Sequence, residues 1–490
     1  MVNKITSQDV GKPIENSIGG ADPQNIPLID DVLSVVREVF PDDSNVSTAV
    51  NVCLSAAAAL CVKGLEGCPA ILLEGRASGR KTTVLRFFPR ELEDIVYQTD
   101  RFTPASFVSH ISGKTEAELD KIDLLPRITH KVFVVLEMRV VLSDSKEKLQ
   151  ENLGVLTRVL DGHGLARDSG VYGQRGYYGD MKFCFLGATT PLTDFAWQEM
   201  SNVGSRMLVL DMGGEEPTED ELAQMATDPV PFEDKVERCR QAVYDFLEGL
   251  WERTGGYGGI DWDVQSPVEM EIAKQVAKFA RLTAKLRGSI IRSAEDGTEG
   301  SVQKENPIRL MTVMMSIARG HAIASGRTEL VSEDVTAVID LTLDTCPNRR
   351  RMAFRCVLDA EDGTATTRDI EEAASCSKGT ALKLMEDLVA LGVVQWAKDE
   401  ESASGFQARQ QPKRIKLAGE YDWLRDILSS RKDAPQEKSS TDTALPESNS
   451  SVQPSADEVI KERVFAALDV TWKIATQVRM SMEQPRLTIP

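Results

Sequence analysis

Short continuous apolar runs alternate with longer stretches of helical spacing through the first half of the chain. Ala70–Leu73, Asp94–Thr99, Lys131–Leu136 (KVFVVL) and Lys182–Gly187 read as strands, and Asn202–Leu210 (NVGSRMLVL) ends in one more. Unbroken apolar runs bounded by polar residues fit strands of a parallel sheet buried on both faces. Helical spacing fills the gaps: Leu28–Lys63, broken near Pro41 and resumed at the capping pair Ser44 and Asn45, then Lys148–Leu160 and Asp194–Met200. Ala56–Ala59 mark a close-packed helix, Thr103 and Pro104 open a helix within Arg101–His110, and Asp123–Arg127 reads as a loop. The alternation predicts an α/β core with a parallel sheet over 28–213.

Gly213–Asp234 is acidic and contains proline, which predicts a linker. Four helical patterns follow, Val236–Arg253, Val268–Leu286, Ile308–Ser325 and Ser332–Leu343, and define an all-α lid over 214–350. The character changes again at Asp359–Trp396. A short helix Thr367–Ala374, a turn at Ser375–Ser377 and a helix Lys378–Leu391 stopped by Gly392 lead into a strand. That is the layout of a winged helix-turn-helix over 351–428, with Lys378, Lys383, Arg409, Lys413, Arg414 and Lys416 as its basic residues. The polar arm 1–27 and the Ser-, Pro- and acid-rich stretch 429–458 read as flexible, and 459–490 holds a last helical pattern that offers a docking surface for a protein partner.

Composition narrows the partners. The 490 residues include 57 basic and 76 acidic side chains, a net charge of −19, so any DNA contact has to come from a local basic patch or a separate module. No window approaches the eighteen or so uncharged apolar residues of a membrane span, and the N-terminus has no basic-then-apolar layout, which makes a soluble, cytoplasmic protein the expectation. The eight cysteines and four histidines are scattered, without the spacing of a metal cluster or a disulfide framework.

The candidate chemistry centres on residues 67–86, GCPAILLEGRASGRKTTVLR. A buried strand followed by a turn of small residues and then Lys81, Thr82 and Thr83 is the layout of a phosphate-binding loop. Against G-x-x-x-x-G-K-[ST], Gly75, Lys81 and Thr82 match, Arg80 stands at the second glycine position, and Gly79 sits one place early beside Ser78. The lysine would reach the terminal phosphates and the Thr82 hydroxyl would complete the shell of Mg2+. The alternative is a basic, glycine-containing surface turn. Glu137 ends the strand Lys131–Leu136, where it would polarise a water or simply close the strand as a surface glutamate, and Leu136 takes the place of a magnesium-holding aspartate. Thr190, or Thr189, closes another strand and would position that water. Arg206 fits an arginine finger, or an ordinary salt-bridged arginine, and Arg309 fits a second γ-phosphate sensor or a solvated first-turn residue. Asp161–Asp180, DGHGLARDSGVYGQRGYYGD, reads either as a projecting hairpin whose Arg and Tyr face a nucleic acid or polypeptide, or as a glycine-rich turn with its aromatics packed against its own base.

The order of these parts resembles the AAA+ ATPases, and the inserted hairpin, lid and terminal winged helix are most similar to the branch containing MCM helicases and MoxR-type ATPases, over about residues 45–420. The resemblance implies ATP and Mg2+ as cofactors, with Gly75, Ser78, Gly79, Arg80, Lys81, Thr82, Thr83 and Arg309 around the nucleotide, Thr82 on the metal, and Glu137, Thr190 and Arg206 catalytic. It also implies a homo-oligomeric ring that hydrolyses ATP at subunit interfaces and acts on DNA through the hairpin 161–180 and the winged helix 366–416. Arg80 and Leu136 depart from the family pattern and bear on hydrolysis more than on fold. The rival expectations are a nucleotide-gated DNA-binding regulator with little turnover and a MoxR-like protein-remodelling chaperone.

Overall fold

The computed structural model describes residues 26–109, 113–142, 145–169, 173–204, 206–214, 217–262, 267–292, 299–397 and 413–432. The N-terminal arm before Ile26, Arg409, the acid-rich stretch beyond Lys432 and the pattern Val459–Met480 lie outside these residues. The chain divides into two units. Met1–Val276, Ile308–Leu330 and Ala337–Leu341 form the first, and Ala277–Pro307, Val331–Thr336 and Thr342–Pro490 the second.

The first unit is built on a five-stranded sheet. Its strands are β1 (Ala70–Glu74), β2 (Val96–Thr99), β3 (Val132–Val135), β6 (Cys184–Thr189) and β7 (Leu208–Asp211), every pair parallel, in the order β2-β3-β6-β1-β7. All of β1, β3 and β6 is buried, as continuous apolar runs require. Between β3 and β6 the chain makes a helix, Lys146–Leu160, and an antiparallel hairpin of β4 (Gly164–Ser169) and β5 (Gly173–Tyr178). Phe102, Phe107, Phe133, Phe183 and Phe185 fill one side of the sheet with the apolar face of Lys146–Leu160.

The small-residue stretch at Ala56–Ala59 does what its composition suggests. The helix Ser44–Ala58 is buried through Val52–Ala58 and packs against the helix Ile308–Ala324, where a methyl group on Gly320 would collide with the Ser55 carbonyl. The uncharged stretch Ser44–Cys61 reaches a mean hydropathy of 1.3, the length and composition of a membrane span, a match the sequence reading passed over. It is 72% buried inside this unit, as a core helix.

Several expected elements change form. Thr103 and Pro104 open only a short 3-10 turn, Pro104–Phe107. Leu124–Ile128 is a helix rather than a loop, because Pro126 falls in its first turn, where a missing N–H costs nothing. The stretch read as a linker, Gly213–Asp234, contains the helix Glu219–Thr227, opened by a Thr218–Glu221 capping box. The next helix starts at Phe232 and runs to Thr254, where Gly255 at φ 77° ends it.

The second unit contains an antiparallel pair, β8 (Ser289–Arg292) and β9 (Glu299–Gln303), inside a region expected to be all helical. Its C-terminal part runs helix Asn348–Asp359, β10 (Thr364–Thr366), helix Thr367–Ala373, helix Lys378–Leu391, β11 (Val394–Trp396), β12 (Arg414–Leu417) and helix Asp422–Lys432. The three strands form an antiparallel sheet in the order β10-β12-β11. Among the eight cysteines, Cys53, Cys61, Cys68, Cys184, Cys239 and Cys346 are buried free thiols, and Cys356 and Cys376 are half-buried.

Candidate active site

The loop after β1 is shaped by two left-handed residues. Ser78 has φ 66° and Arg80 φ 54°, ψ 4°, conformations that cost a non-glycine residue about 1 kcal/mol or more each. Alternation of this kind turns successive N–H groups toward one side of a loop, a concavity suited to an anion. The amides of Ala77, Ser78, Lys81 and Thr82 find no acceptor among the described residues. Gly79 is required by close approach, since a Cβ there would lie 3.0 Å from the Arg76 carbonyl oxygen. The helix that follows, Lys81–Arg86, is short because Pro89 stops it.

Lys81 is 8% exposed, and its ammonium donates to the Arg76 carbonyl at 2.5 Å, across the loop. Burial pulls its pKa below the ordinary lysine value, while the carboxylates of Glu137 and Glu74 pull it back up. Thr82 is exposed and Thr83 half-buried. The Arg80 side chain turns away from the loop interior. Its guanidinium lies 5.0 Å from the centre of the Phe40 ring, with Nε 3.5 Å from Asp43 Oδ2 and Nη2 3.9 Å from Met225 Sδ. The arginine in the second glycine position thus keeps the backbone conformation a glycine would supply and carries its bulk elsewhere.

The carboxyl ends of the strands beside β1 deliver the other residues. Glu74 is opposite Thr189 on one side and Asp211 on the other, and the Gly75 amide donates to the Thr189 carbonyl at 3.3 Å. Thr190 is the next residue. On β3 the chain leaves through Leu136, whose amide bonds to the Thr99 carbonyl, and Glu137, whose amide bonds to the Asp100 carbonyl at 2.9 Å. Met138 then donates to the Ala188 carbonyl at 2.8 Å, which pins the Glu137 turn to the end of β6. The Glu137 carboxylate is exposed and accepts from the Arg139 amide at 2.8 Å. Loop, Lys81, Glu137 and Thr190 therefore gather at one end of the sheet.

The two arginines do not join them. Arg206 precedes β7, at the end of the sheet away from the loop, and is 8% exposed. Its Nε and Nη2 each lie 2.8 Å from Asp161 Oδ1, and Nη1 donates to the carbonyls of Val203 and Gly204. A finger role requires this pair to open. A Cβ placed on Gly204 would lie 3.6 Å from Arg206 Nη1 and 3.7 Å from Arg309 Nη1, so Arg309 stands beside Arg206 rather than over the loop of its own chain.

The hairpin forms, but its Arg and Tyr point inward. Arg175 Nη2 lies 2.5 Å from Asp123 Oδ2, and Tyr177 donates its hydroxyl to Asp123 Oδ2 and Asp120 Oδ1, each at 2.9 Å. Arg167 donates to the Pro104 carbonyl at 3.1 Å. Burial and both carboxylates push the Tyr177 phenol above its ordinary value. Tyr178 remains outside, 65% exposed, and the tip 170–172 lies outside the described residues.

In the second unit, Lys378 and Lys383 are exposed on the helix Lys378–Leu391, with Glu386 and Asp387 half-buried beyond them. Strand β12 buries Ile415 and Leu417 and exposes Arg414 and Lys416, and Lys413 Nζ stands 5.3 Å from the centre of the half-exposed Trp396 ring. No group of three or more metal-ligating side chains occurs among the described residues. The sequence reading missed Glu74, Asp123 and Asp161. Only the first carried a local signal, a carboxylate closing an apolar strand directly before Gly75.

No protein-family model matches the chain, and no curated protein matches it. Among solved structures, it is similar to the apo form of the C-terminal region of NrS-1 with 12% identity and a TM-score of 0.23, over 81% of this chain and 76% of that one. It is also similar to an active helicase, Cch of SCCmec type IV, with 10% identity and a TM-score of 0.30, over 80% of this chain and 71% of that one. Both likenesses are too slight to carry an inference, and the reading of function rests on the residues.

Proposed function

We propose that the first unit is an AAA+-type nucleotide-binding core that hydrolyses ATP and that the chain uses the cycle to act on DNA. The observation that carries this is the buried Lys81 ammonium, held across a loop with left-handed residues at Ser78 and Arg80, beside strand ends bearing Glu137 and Thr190. The strand order supports it, since a hairpin inserted between β3 and β6 leaves the succession second, third, fourth, first, fifth for the five parallel strands.

In this reading Gly75, Ser78, Gly79, Arg80 and Thr83 shape the phosphate site, and the free amides of the loop receive phosphate oxygens. Lys81 exchanges the Arg76 carbonyl for a phosphate. The exposed Thr82 hydroxyl would hold Mg2+ together with phosphate oxygens and waters, as that ion prefers when few carboxylates are at hand. The metal would supply charge neutralisation on the phosphates. Glu137, whose Oε1 accepts from the Arg139 amide, would take a proton from water, and Thr190 orients that water. Arg206 and Arg309, placed together away from their own loop, would serve the nucleotide of a neighbouring subunit in a homo-oligomeric ring. The helix-turn-helix and strand β12 offer the DNA surface through Lys378, Lys383, Arg414 and Lys416. The inward Arg175 and Tyr177 leave the hairpin a smaller part.

The test is ATP turnover by the purified protein with magnesium, with and without single- and double-stranded DNA, beside Lys81→Ala. Turnover that rises with DNA and vanishes in the variant supports a DNA-dependent ATPase. Nucleotide binding without turnover moves the reading to a gated DNA-binding regulator, for which Leu136 in place of an aspartate is the motivating residue. Turnover indifferent to DNA favours a protein-remodelling ATPase.

A further inference from the structure

Glu74 is 1% exposed although the next residue, Gly75, opens the loop. A carboxylate so buried is costly unless it is hydrogen-bonded and faces a positive charge. Its Oε1 accepts from the Leu192 amide at 2.6 Å, and the Lys81 ammonium feels its charge. Leu192 lies two residues beyond Thr190. The end of β1 is therefore stitched to the turn after β6 twice, by main chain from Gly75 to Thr189 and by side chain from Glu74 to Leu192. Of the neighbouring carboxylates, Asp211 accepts from the Gly213 amide and Glu137 from the Arg139 amide, each within its own turn.

A phosphate in the loop draws Lys81 off the Arg76 carbonyl and so releases the loop that begins at Gly75, the residue next to Glu74. We infer that Glu74 is a positioning residue that passes occupancy of the phosphate loop to the turn 189–192 and so sets the place of the Thr190 hydroxyl. Carboxylate acceptance of the Leu192 amide is the link, and the neutral Gln side chain preserves an acceptor there. This inference rests on the nucleotide reading above.

The experiment is hydrogen exchange on the full chain, read at residues 189–193, without nucleotide and with ATPγS and magnesium, for the parent, Glu74→Gln and Glu74→Leu. ATPγS affinity is measured separately by titration. In the parent and in Glu74→Gln, nucleotide should slow exchange at this turn about tenfold. In Glu74→Leu the turn should not respond, while ATPγS affinity stays within about threefold of the parent's. An equal response in Glu74→Leu overturns the inference, and so does a missing response in Glu74→Gln, which also guards against a misfolded leucine variant. A parent that binds no ATPγS removes the nucleotide reading itself, and the titration shows that before any variant is compared.

Discussion

Asp123 is the residue whose loss should be felt most. It is fully buried, and its two oxygens accept from the Ser109 amide and hydroxyl, from Arg175 Nη2 and from the Tyr177 hydroxyl. Asp123→Ala leaves the guanidinium of Arg175, itself 20% exposed, without its carboxylate. Breaking a buried pair by removing one partner costs about 3–5 kcal/mol, and the partial exposure of Arg175 places this case near 3 kcal/mol. At about 2–4 °C per kcal/mol for a body of this size, the melting transition of the first unit should fall by roughly 6–12 °C. Calorimetry on Asp123→Ala, Arg175→Met and the double variant closes a thermodynamic cycle. The double variant should be more stable than Asp123→Ala, because it no longer buries an unpaired charge, and the coupling should reach about 1–3 kcal/mol. A coupling below roughly 0.5 kcal/mol would refute the claim that this pair fastens the hairpin to the residues before β3. Because Arg175 is used internally, the parent and Arg175→Met should also bind DNA alike.

Three further outcomes follow from the geometry. Arg80→Gly gains about 1 kcal/mol from relief of the left-handed backbone and loses a comparable amount from the Phe40 and Asp43 contacts, whereas Arg80→Ala has only the loss, so denaturant titration should find the glycine variant more stable by about 1 kcal/mol. Gly320→Ala should destabilise the first unit by about 1–3 kcal/mol, seen as a lower urea midpoint with the slope unchanged, because the Ser55 carbonyl occupies the space of the added methyl. Burial raises the thiol pKa values from an ordinary 9.0 to about 11 for Cys61 and about 12 for Cys68, Cys239 and Cys346. A raised folded-state value means that this stability is fully present below pH 9 and is lost as pH rises toward 11–12, about 1.4 kcal/mol per thiol by pH 10, so urea unfolding at pH 7.5 and 10 should differ less for Cys68→Ala than for the parent.

Elements with local punctuation were legible in the sequence. The helix Lys378–Leu391 begins after Ser377, whose hydroxyl accepts from the Thr380 amide, and stops at Gly392 with φ 72°, both as residue type alone suggests. The apolar runs of β1, β3 and β6 were legible because burial on both faces leaves polar residues only at their carboxyl ends, Glu74 in β1 and Thr189 in β6. The helix Glu219–Thr227 was not, since none of its residues is buried and it has no apolar stripe to detect, leaving the Thr218–Glu221 capping box as its one signal. The helix Leu124–Ile128 was hidden for another reason, since Pro126 within five residues reads as a break although Leu124, Leu125 and Ile128 are buried. At the site, the turn of small residues after β1 could be found from spacing, but what its neighbours do could not. Arg206 meets Asp161 across 45 positions and Arg175 meets Asp123 across 52, separations at which no local pattern carries information.

The distribution of thiols has a practical side. Six of the eight sulfurs are sealed from solvent, Cys356 is half-covered with its thiolate disfavoured by burial, and Cys376 lies half-open in the turn between the helices Thr367–Ala373 and Lys378–Leu391. Alkylating reagents attack the thiolate, so a maleimide dye at neutral pH should mark Cys376 ahead of the rest. The native chain thus carries its own attachment point for a fluorophore, one residue before the Ser377 that caps the helix Lys378–Leu391. The proposed DNA binding could be tested optically on the protein with no residue exchanged.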